Sequence, residues 1–242
     1  MAAHSQHRLR PKTAIPIPYN AQTVSNAALT LFFRLLLAEC SEHVFNPWTQ
    51  RDEPNDGTLN GPAARIGRLR SHLSVDAERI LLGEASGYQG CHISGIPFTS
   101  ERVILAGQIP RVRSQARLSL RHIPWSEPSA TTVWGTLHAL GVAPTTVLWN
   151  AFPWHPHEPG CLQSNRTPDR RERTQGFRAL EALLAAFPQA QVFAVGRHAQ
   201  LTLQELGKAA TPLRHPSMGG AKRFGAELSA AVEAERRAVS RR

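Results

Sequence analysis

The chain has 242 residues, with 28 Lys or Arg against 18 Asp or Glu, which gives a formal net charge of +10. This length is sufficient for one large buried core, so we expect a single catalytic domain at 21–237 between a flexible basic arm at 1–20 and a basic tail at 238–242. Nearly all the basic residues are arginine, whose guanidinium suits phosphate oxygens, so the expected partner is a polyanion such as nucleic acid. An Arg-rich composition inherited from a GC-rich genome would give the same charge without such a partner.

Cysteine usage and hydropathy argue against a secreted or membrane protein. The three cysteines, Cys40, Cys91 and Cys161, are too few and too scattered for a disulfide framework, which fits a reducing, intracellular setting. The most apolar stretch, Ala27–Ala38, contains Arg34 and is too short to span a bilayer. We therefore expect an intracellular, cytoplasmic monomer with no membrane partner.

Helical and strand patterns alternate along most of the chain. The predicted strands are Arg79–Leu82, Thr145–Trp149, Gln191–Val195 and Pro212–Arg214. The predicted helices are Asn26–Cys40, a helix capped by Asn60 that ends near Leu73, Ser129–Leu140, Pro168–Phe187, Ala199–Leu206 and Lys222–Arg237, with a polar loop at His43–Pro62. This alternation predicts an α/β fold with a parallel sheet covered on both faces.

Unusual residues are concentrated in three loops that follow predicted strands. The first loop begins Gly83-Glu84-Ala85-Ser86-Gly87-Tyr88 and reaches Phe98, the second contains Asn150 to His157, and the third contains His215-Pro216-Ser217-Met218. Ligands of open α/β sheets bind at the carboxyl ends of the strands. The three loops are therefore expected to meet in one crevice.

Taken together, the motifs Gly-Glu-Ala-x-Gly, Gly-x-Pro-Phe, strand-Asn and His-Pro-Ser resemble those of the uracil-DNA glycosylase superfamily. They look closest to the branch whose first motif is Gly-Glu-Ala-Pro-Gly, and Asn165–Pro168 is similar to an Asn-Arg-x-Pro segment of that branch. The resemblance implies a three-layer α/β/α sandwich with a central four-stranded parallel sheet. It also implies metal-free hydrolysis of the bond between uracil and deoxyribose in single- or double-stranded DNA.

The resemblance also implies a role for particular residues. Phe98 would stack on the flipped base, Asn150 would pair with its O4 and N3–H, and His215 would donate to O2 as the base leaves as an anion. The expected substrate-binding residues are Gly83, Ala85, Ser86, Gly87, Tyr88, Phe98, Asn150, His155 and Ser217. The expected DNA contacts are Met218, which would fill the gap left by the base, and the phosphate ligands Arg166, Lys222 and Arg223.

The sequence departs from the family pattern at several positions. Ala85 stands where the strongest family members have an aspartate, so Glu84 is the expected water-activating residue. Ser86 replaces a usual proline, and Gly87 aligns with the tyrosine that excludes the methyl group of thymine, so other deaminated bases are expected substrates. The resembling branch holds an iron–sulfur cluster on four cysteines, whereas this chain has three, so no cofactor is expected.

Three alternative functions remain open from the sequence. His155, His157 and Cys161, together with His138, offer zinc-binding side chains for a metal-dependent hydrolase. The missing carboxylate at Ala85 also suits a non-catalytic protein that binds damaged DNA. A nucleoside hydrolase would explain the pocket, although not the basic surface.

Overall fold

The computed structural model describes residues 26–240 except residues 39 and 115. The predicted arm at 1–20 lies outside this part of the chain. The strands are β1 (Val44–Phe45), β2 (Arg79–Ala85), β3 (Thr146–Phe152), β4 (His155–Pro156), β5 (Gln191–Val195) and β6 (Thr211–Leu213). The helices are α1 (Asn26–Leu36), α2 (Pro62–Leu73), α3 (Cys91–Ser94), α4 (Glu101–Leu105), α5 (Pro128–Ala139), α6 (Arg170–Ala186), α7 (Arg197–Glu205) and α8 (Ala221–Val239).

A four-stranded parallel sheet forms the centre of the fold. Its strand order is β3-β2-β5-β6, so β2 is paired on both sides. Ile80 of β2 lies opposite Val147 of β3 and Val192 of β5, which sets the register of the three longer strands. The short strands β1 and β4 form a separate antiparallel pair. The prediction of a four-stranded parallel sheet is confirmed.

Alternate residues of β2 enter two different hydrophobic clusters. Ile80 and Leu82 pack in a cluster with apolar residues of α1, α2, α6 and α7, whereas Leu81 packs with residues of α4, α5 and α8. Because successive strand side chains point to opposite faces, these clusters lie on the two faces of the sheet. The sheet is therefore the middle layer of an α/β/α arrangement. No helix among the described residues has the length and apolar character needed to cross a membrane.

Several predicted helix boundaries are wrong, including those of the first helix, α2 and α6. The first helix ends at Leu36, before the predicted Cys40. Gly61, not Asn60, is the N-cap of α2, because the Asn60 amide instead donates to Asp56 Oδ1 and to the Ile93 carbonyl, each at 3.0 Å. Helix α6 begins at Arg170 rather than Pro168, because the side chains of Asp169 and Glu172 form a reciprocal capping box.

Two strands extend beyond their predicted ends. β2 continues to Ala85 and β3 continues to Phe152. Gly83, Glu84 and Asn150 therefore lie within the last residues of strands rather than in the loops that follow them. The regular backbone fixes their positions more firmly than a loop would.

Glu101 organises the irregular segment between α4 and α5. Its Oε1 accepts hydrogen bonds from Arg117 Nε and the Leu118 N–H at 2.8 Å, and its Oε2 accepts from the Ser119 hydroxyl at 2.6 Å and the Trp125 N–H at 2.9 Å. Burial opposes ionisation of this carboxyl, but these donors outweigh it and lower its pKa below 4.5. The segment that leads into α5 is thus held by one buried carboxylate.

We predict that Glu101→Gln lowers the free energy of unfolding by about 3 kcal/mol at neutral pH, because an amide cannot accept at both of its ends. A group with a depressed folded-state pKa contributes stability above its unfolded pKa, and this contribution is lost as pH falls through the folded value. The difference between wild type and variant should therefore shrink as pH falls below 4.5. Urea unfolding at several pH values measures the difference in the free energy of unfolding between wild type and Glu101→Gln.

The control for this experiment is Glu181→Gln, which changes an exposed carboxylate of α6. It should change stability by less than about 0.5 kcal/mol. Equal losses in the two variants, or a difference that grows at acid pH, would contradict the role of Glu101.

Candidate active site

A cleft of about 400 Å³ lies at the carboxyl edge of the sheet, where β2, β3 and β6 end. The three loops predicted to converge do meet here. The residues that line it are Glu84, Ala85, Ser86, Gly87, Gln89, Cys91, Phe98, Glu127, Pro128, Ser129, Asn150, Asn165, Arg166, Thr167, His215 and Ser217. The volume lies in the range of small-molecule sites.

Asn150 and Phe98 share the space in front of Gly83. In the parallel pairing of β2 with β3, Gly83 lies opposite Asn150. A Cβ atom at position 83 would lie 2.5 Å from Phe98 Cζ and 2.6 Å from Asn150 Oδ1. The Asn150 side chain is buried, yet its carboxamide has no hydrogen bond to any of the described residues. It therefore presents a free donor and a free acceptor to whatever enters the cleft.

Two predicted site residues adopt the left-handed backbone conformation that side chains disfavour. Phe98 has a φ of 50° and Met218 has a φ of 51°. Such conformations cost free energy and persist where surrounding structure imposes them, often at functional sites. Met218 is also 91% exposed, beside the His215 loop, where an apolar side chain gains nothing from folding.

The hydrogen bonds of His215 define which ring nitrogen carries the proton. The Ser217 N–H donates to Nδ1 at 3.1 Å, and Ser217 Oγ lies 2.6 Å from the same nitrogen. Because Nδ1 is an acceptor, the neutral ring carries its proton on Nε2. Burial, together with the charge of Arg214, lowers the pKa of His215 below 6.5. His215, which lines the cleft, thus carries a neutral Nε2–H donor.

Glu84 lies near the end of β2 and lines the same cleft. Its Oε1 is buried and has no hydrogen-bond partner among the described residues, and His198 Nε2 lies 3.8 Å away. Glu84 is thus a carboxylate at the wall of the cleft, and its Oε1 atom is closed off from solvent beside His198.

The first loop keeps its shape through backbone and side-chain anchors. The Ser86 hydroxyl donates to the Pro153 carbonyl, and the Tyr88 N–H donates to Asn165 Oδ1 at 3.0 Å. The Tyr88 ring packs edge-on against Trp125 and does not line the cleft, contrary to expectation. Gly87 does line it and presents no side chain there.

His155 was expected to bind substrate, but it does not line the cleft. It is fully buried, its Nδ1 lies 2.9 Å from His92 Nδ1, and its Nε2 lies 2.8 Å from the Ser164 carbonyl oxygen. Burial, with the neighbouring His92, lowers its pKa to about 3. His92 in turn bonds Asp52 Oδ2 at 2.9 Å. His155 therefore belongs to a buried network that joins loops, not to the base-binding surface.

Arg166 lines the cleft, but its donors are occupied within the protein. Its two terminal nitrogens form a bidentate ion pair with Glu172, at 2.7 Å and 2.6 Å. Its Nε donates to the His157 carbonyl at 3.0 Å, and Nη2 donates to the His43 carbonyl at 3.2 Å. These bonds disfavour the expected phosphate contact and make Arg166 a brace for its loop.

A second cleft of about 350 Å³ shares His215 with the first. Its lining residues include Arg197, Arg214 and Arg223, of which only Arg223 was expected to meet DNA. Arg223 pairs with Glu227 at 2.7 Å, four residues along α8. Lys222 is exposed at the start of the same helix. Basic side chains are thus grouped beside the His215 loop.

The sequence reasoning missed several lining residues, namely Gln89, Cys91, Glu127, Ser129, Asn165 and Thr167. Asn165 and Thr167 belong to a segment whose resemblance was noted, and this signal was sufficient to find them. Glu127 gave no comparable signal, because an acidic residue before Pro-Ser is typical of an ordinary helix start. Only the tertiary structure brings it to the cleft.

The side chains considered for zinc do not assemble. Both ring nitrogens of His155 are engaged, and His138 Nε2 bonds the Gln108 carbonyl at 2.7 Å. Within the described part of the chain, no three His, Cys, Asp or Glu side chains come together as a metal site. Cys40, Cys91 and Cys161 differ in burial and do not form a ligand set, so they do not fit an iron–sulfur cluster.

Comparisons with known proteins agree with the fold and the motifs. A model of the uracil DNA glycosylase superfamily matches residues 71–235. The crystal structure of wild-type SMUG2 from Pedobacter heparinus matches with a TM-score of 0.59, covering 87% of this chain and 98% of that chain at 14% identity. At this identity the likeness shows a shared fold. A search of curated proteins gives no match.

Because the family model spans more than half of the chain, this protein belongs to the uracil DNA glycosylase superfamily. The resemblance inferred from the sequence is confirmed. The protein is accordingly a DNA glycosylase that acts on damaged bases, and DNA is its partner.

We predict that Gly83→Ala lowers base release by about 100-fold or more, because the added methyl group displaces both Phe98 and Asn150 by roughly 1 Å. Single-turnover release from a damaged oligonucleotide measures it, with thermal unfolding as the test of folding. Gly67→Ala is the matched control, since a Cβ at that exposed position in α2 meets nothing within 4 Å. Base release by Gly83→Ala at the wild-type rate would contradict the close packing of Phe98 and Asn150 against Gly83.

Proposed function

We propose that the protein flips uracil out of DNA and hydrolyses its N-glycosidic bond, which leaves an abasic site. The observation that carries this proposal is the buried, unpartnered Asn150 carboxamide in the same cleft as the His215 Nε2–H donor. A base within a duplex hides its sugar bond, so it must leave the stack before it reaches such a cleft.

Asn150 and Phe98 supply recognition of the base in this proposal. The carboxamide N–H donates to O4 of uracil, and Oδ1 accepts the N3–H. Cytosine has an amino group and an unprotonated N3 at these positions, so the pairing favours uracil. The Phe98 ring, held close to Gly83, offers a flat surface on which the base stacks.

His215 supplies the stabilisation of charge. As the bond to the sugar breaks, negative charge develops on the base, and the Nε2–H donates to O2. A neutral donor already in place costs no reorganisation at that moment. Its lowered pKa keeps the ring neutral at physiological pH. Glu84, whose carboxylate lines the same cleft, orients the water that attacks the sugar.

Bases other than uracil are included in the proposal. Gly87 lines the cleft without a side chain, and a Cβ placed there would first meet Asn165 at 3.4 Å, an ordinary contact distance. No side chain at position 87 excludes a substituent on the base. A panel of oligonucleotides with deaminated bases tests this range.

The basic surface beside His215 suits the DNA backbone. Lys222, Arg197, Arg214 and Arg223 lie at the start of α8 or around the second cleft, where phosphates of the substrate strand would be neutralised. Met218, exposed in the same loop, fills the gap that the flipped base leaves in the stack.

We predict that Asn150→Ala and His215→Ala each lower uracil release by about 100- to 1000-fold, since each removes a donor that acts on the base or on its developing charge. Free uracil released from a labelled oligonucleotide measures it. The control is His138→Ala, an exposed histidine of α5 that does not line the cleft. Uracil release at the wild-type rate by both site variants would rule out this cleft. A wild-type protein that binds uracil-containing DNA but releases no uracil would favour a non-catalytic damage-binding protein.

For Met218→Ala we expect release from duplex substrate to fall about tenfold, with release from single-stranded substrate changed less than about twofold. Only a duplex has a base stack whose opening the side chain supports, at a cost of a few kcal/mol. The control is Leu59→Ala, which removes a 73% exposed leucine that lines neither cleft. Equal losses on the two substrates would exclude the wedge role.

A further inference from the structure

Asn165 lines the cleft with an exposed carboxamide that the proposed mechanism does not use. The Tyr88 N–H donates to its Oδ1 at 3.0 Å. Because a backbone N–H can donate only to the amide oxygen, this bond fixes which end of the carboxamide is the oxygen and which is the nitrogen. Nδ2 has no hydrogen bond to any described residue. The cleft wall therefore contains an accessible N–H donor.

The backbone on both sides of Asn165 is held in place. The Ser164 carbonyl oxygen lies 2.8 Å from His155 Nε2, and the Arg166 N–H donates to the Pro156 carbonyl at 3.2 Å. The carboxamide is thus positioned before a ligand arrives. A preorganised donor binds its ligand with a smaller loss of conformational entropy.

Gly87 leaves space beside this carboxamide. A Cβ atom on Gly87 would lie 3.4 Å from Asn165 Oδ1 and 3.6 Å from Nδ2, so the carboxamide faces the position that a side chain of residue 87 would take. Both residues line the cleft. A ligand that enters the space next to Gly87 therefore meets the free donor of Asn165.

The strand order places Asn165 on the side of the cleft away from His215. Asn150 lies on β3 at one edge of the sheet, and His215 follows β6 at the other edge. The Ser86 hydroxyl donates to the Pro153 carbonyl, which holds the first loop against the chain that follows β3. A base that turns O2 toward His215 and pairs through O4 and N3–H with Asn150 therefore turns its third edge toward Asn165.

The third edge differs between pyrimidines and purines. In uracil it carries only the C–H groups of C5 and C6. Hypoxanthine, the deamination product of adenine, has O6 and N1–H in the places of uracil O4 and N3–H, and its second ring adds the acceptor N7 beside O6. Hypoxanthine has no oxygen at C2, so it lacks the acceptor that His215 uses in uracil. A donor at N7 would replace that stabilisation.

We propose that Asn165 is a specificity-determining residue for deaminated purines, because its Nδ2–H donates to N7 of a flipped hypoxanthine. The inference rests on the proposed function. As the bond between N9 and C1′ breaks, its electron pair stays on the base, water adds to C1′ and loses a proton to solvent, and the base takes up a proton. The hydrogen bond at N7 strengthens while negative charge develops on the base.

The same cleft rejects the normal purines at other points. The amino group of adenine would face the Asn150 N–H that donates to O6 of hypoxanthine. Guanine has O6, N1–H and N7, but its 2-amino group would face the Nε2–H of His215. Two donors that face each other leave both without an acceptor, which costs free energy.

A binding cycle tests the contact between Asn165 and N7. The ligands are single-stranded oligonucleotides with hypoxanthine or 7-deazahypoxanthine on a 2′-fluoroarabino sugar, which slows bond cleavage. Wild type should bind hypoxanthine about tenfold more tightly, because the second ligand has a C–H group in place of N7. Asn165→Ala should bind the two ligands within about twofold of each other. The control Gln163→Ala removes an exposed amide of the same loop, outside the cleft, and should keep the wild-type ratio.

Base release gives a second measurement. Asn165→Ala also removes the acceptor of the Tyr88 N–H, which affects every substrate, so the quantity compared is the ratio of hypoxanthine to uracil release in single-turnover kinetics. We expect this ratio to fall about tenfold or more. Asn165→Asp keeps an acceptor for Tyr88 but has no N–H donor, so it should also lose the preference for hypoxanthine over 7-deazahypoxanthine. Circular dichroism and thermal unfolding verify folding.

Equal wild-type affinities for hypoxanthine and 7-deazahypoxanthine would overturn the proposal, as would a wild-type preference that persists in Asn165→Ala. An unchanged ratio of hypoxanthine to uracil release, or no release of hypoxanthine by the wild type, would also overturn it. If Asn165→Ala does not fold, Asn165→Asp decides by the same affinity ratio. Failure of the wild type to release uracil would instead contradict the proposed function, and the binding cycle would still test Asn165 because it needs no turnover.

Discussion

The site depends on the absence of a side chain at one position of a parallel sheet. Pairing of β2 with β3 places Gly83 opposite Asn150. The Phe98 ring and the Asn150 carboxamide occupy the space that a side chain at position 83 would take. A side chain at position 83 would collide with both the Phe98 ring and the Asn150 carboxamide. The regular backbone of two adjacent strands thereby fixes their geometry, which catalysis requires to within a fraction of an ångström.

Around this contact, the cleft holds polar groups that folding alone does not satisfy. Asn150 has no partner among the described residues, and Glu84 and Glu127 each bury one oxygen without a hydrogen bond. Phe98 and Met218 add backbone strain. Most buried polar groups in proteins are paired, and Glu84 and Glu127 are the cleft residues among the ten described residues that bury an unpaired side-chain atom.

Other polar residues that looked functional in the sequence support the loops instead. Arg166 is held by Glu172 and two carbonyls, and His155 is held by His92 and a carbonyl. Glu101 gathers the segment before α5 in the same way. Side chains such as these can serve as ligands or as braces, and sequence does not distinguish the two uses. The distinction depends on whether neighbouring carbonyl and carboxylate oxygens accept hydrogen bonds from the donors of these side chains.

Sequence patterns were sufficient to predict the α/β class, the four parallel strands and the convergence of the Gly83, Asn150 and His215 segments, because hydrophobic periodicity and strand-end motifs are local signals. It did not determine that Asn60 would bond across to α3, that His155 would be buried, or that Glu127 would line the cleft. Those outcomes depend on partners distant in the chain. Whether a polar side chain is satisfied is a property of its three-dimensional neighbours, which only the packing of the loops decides.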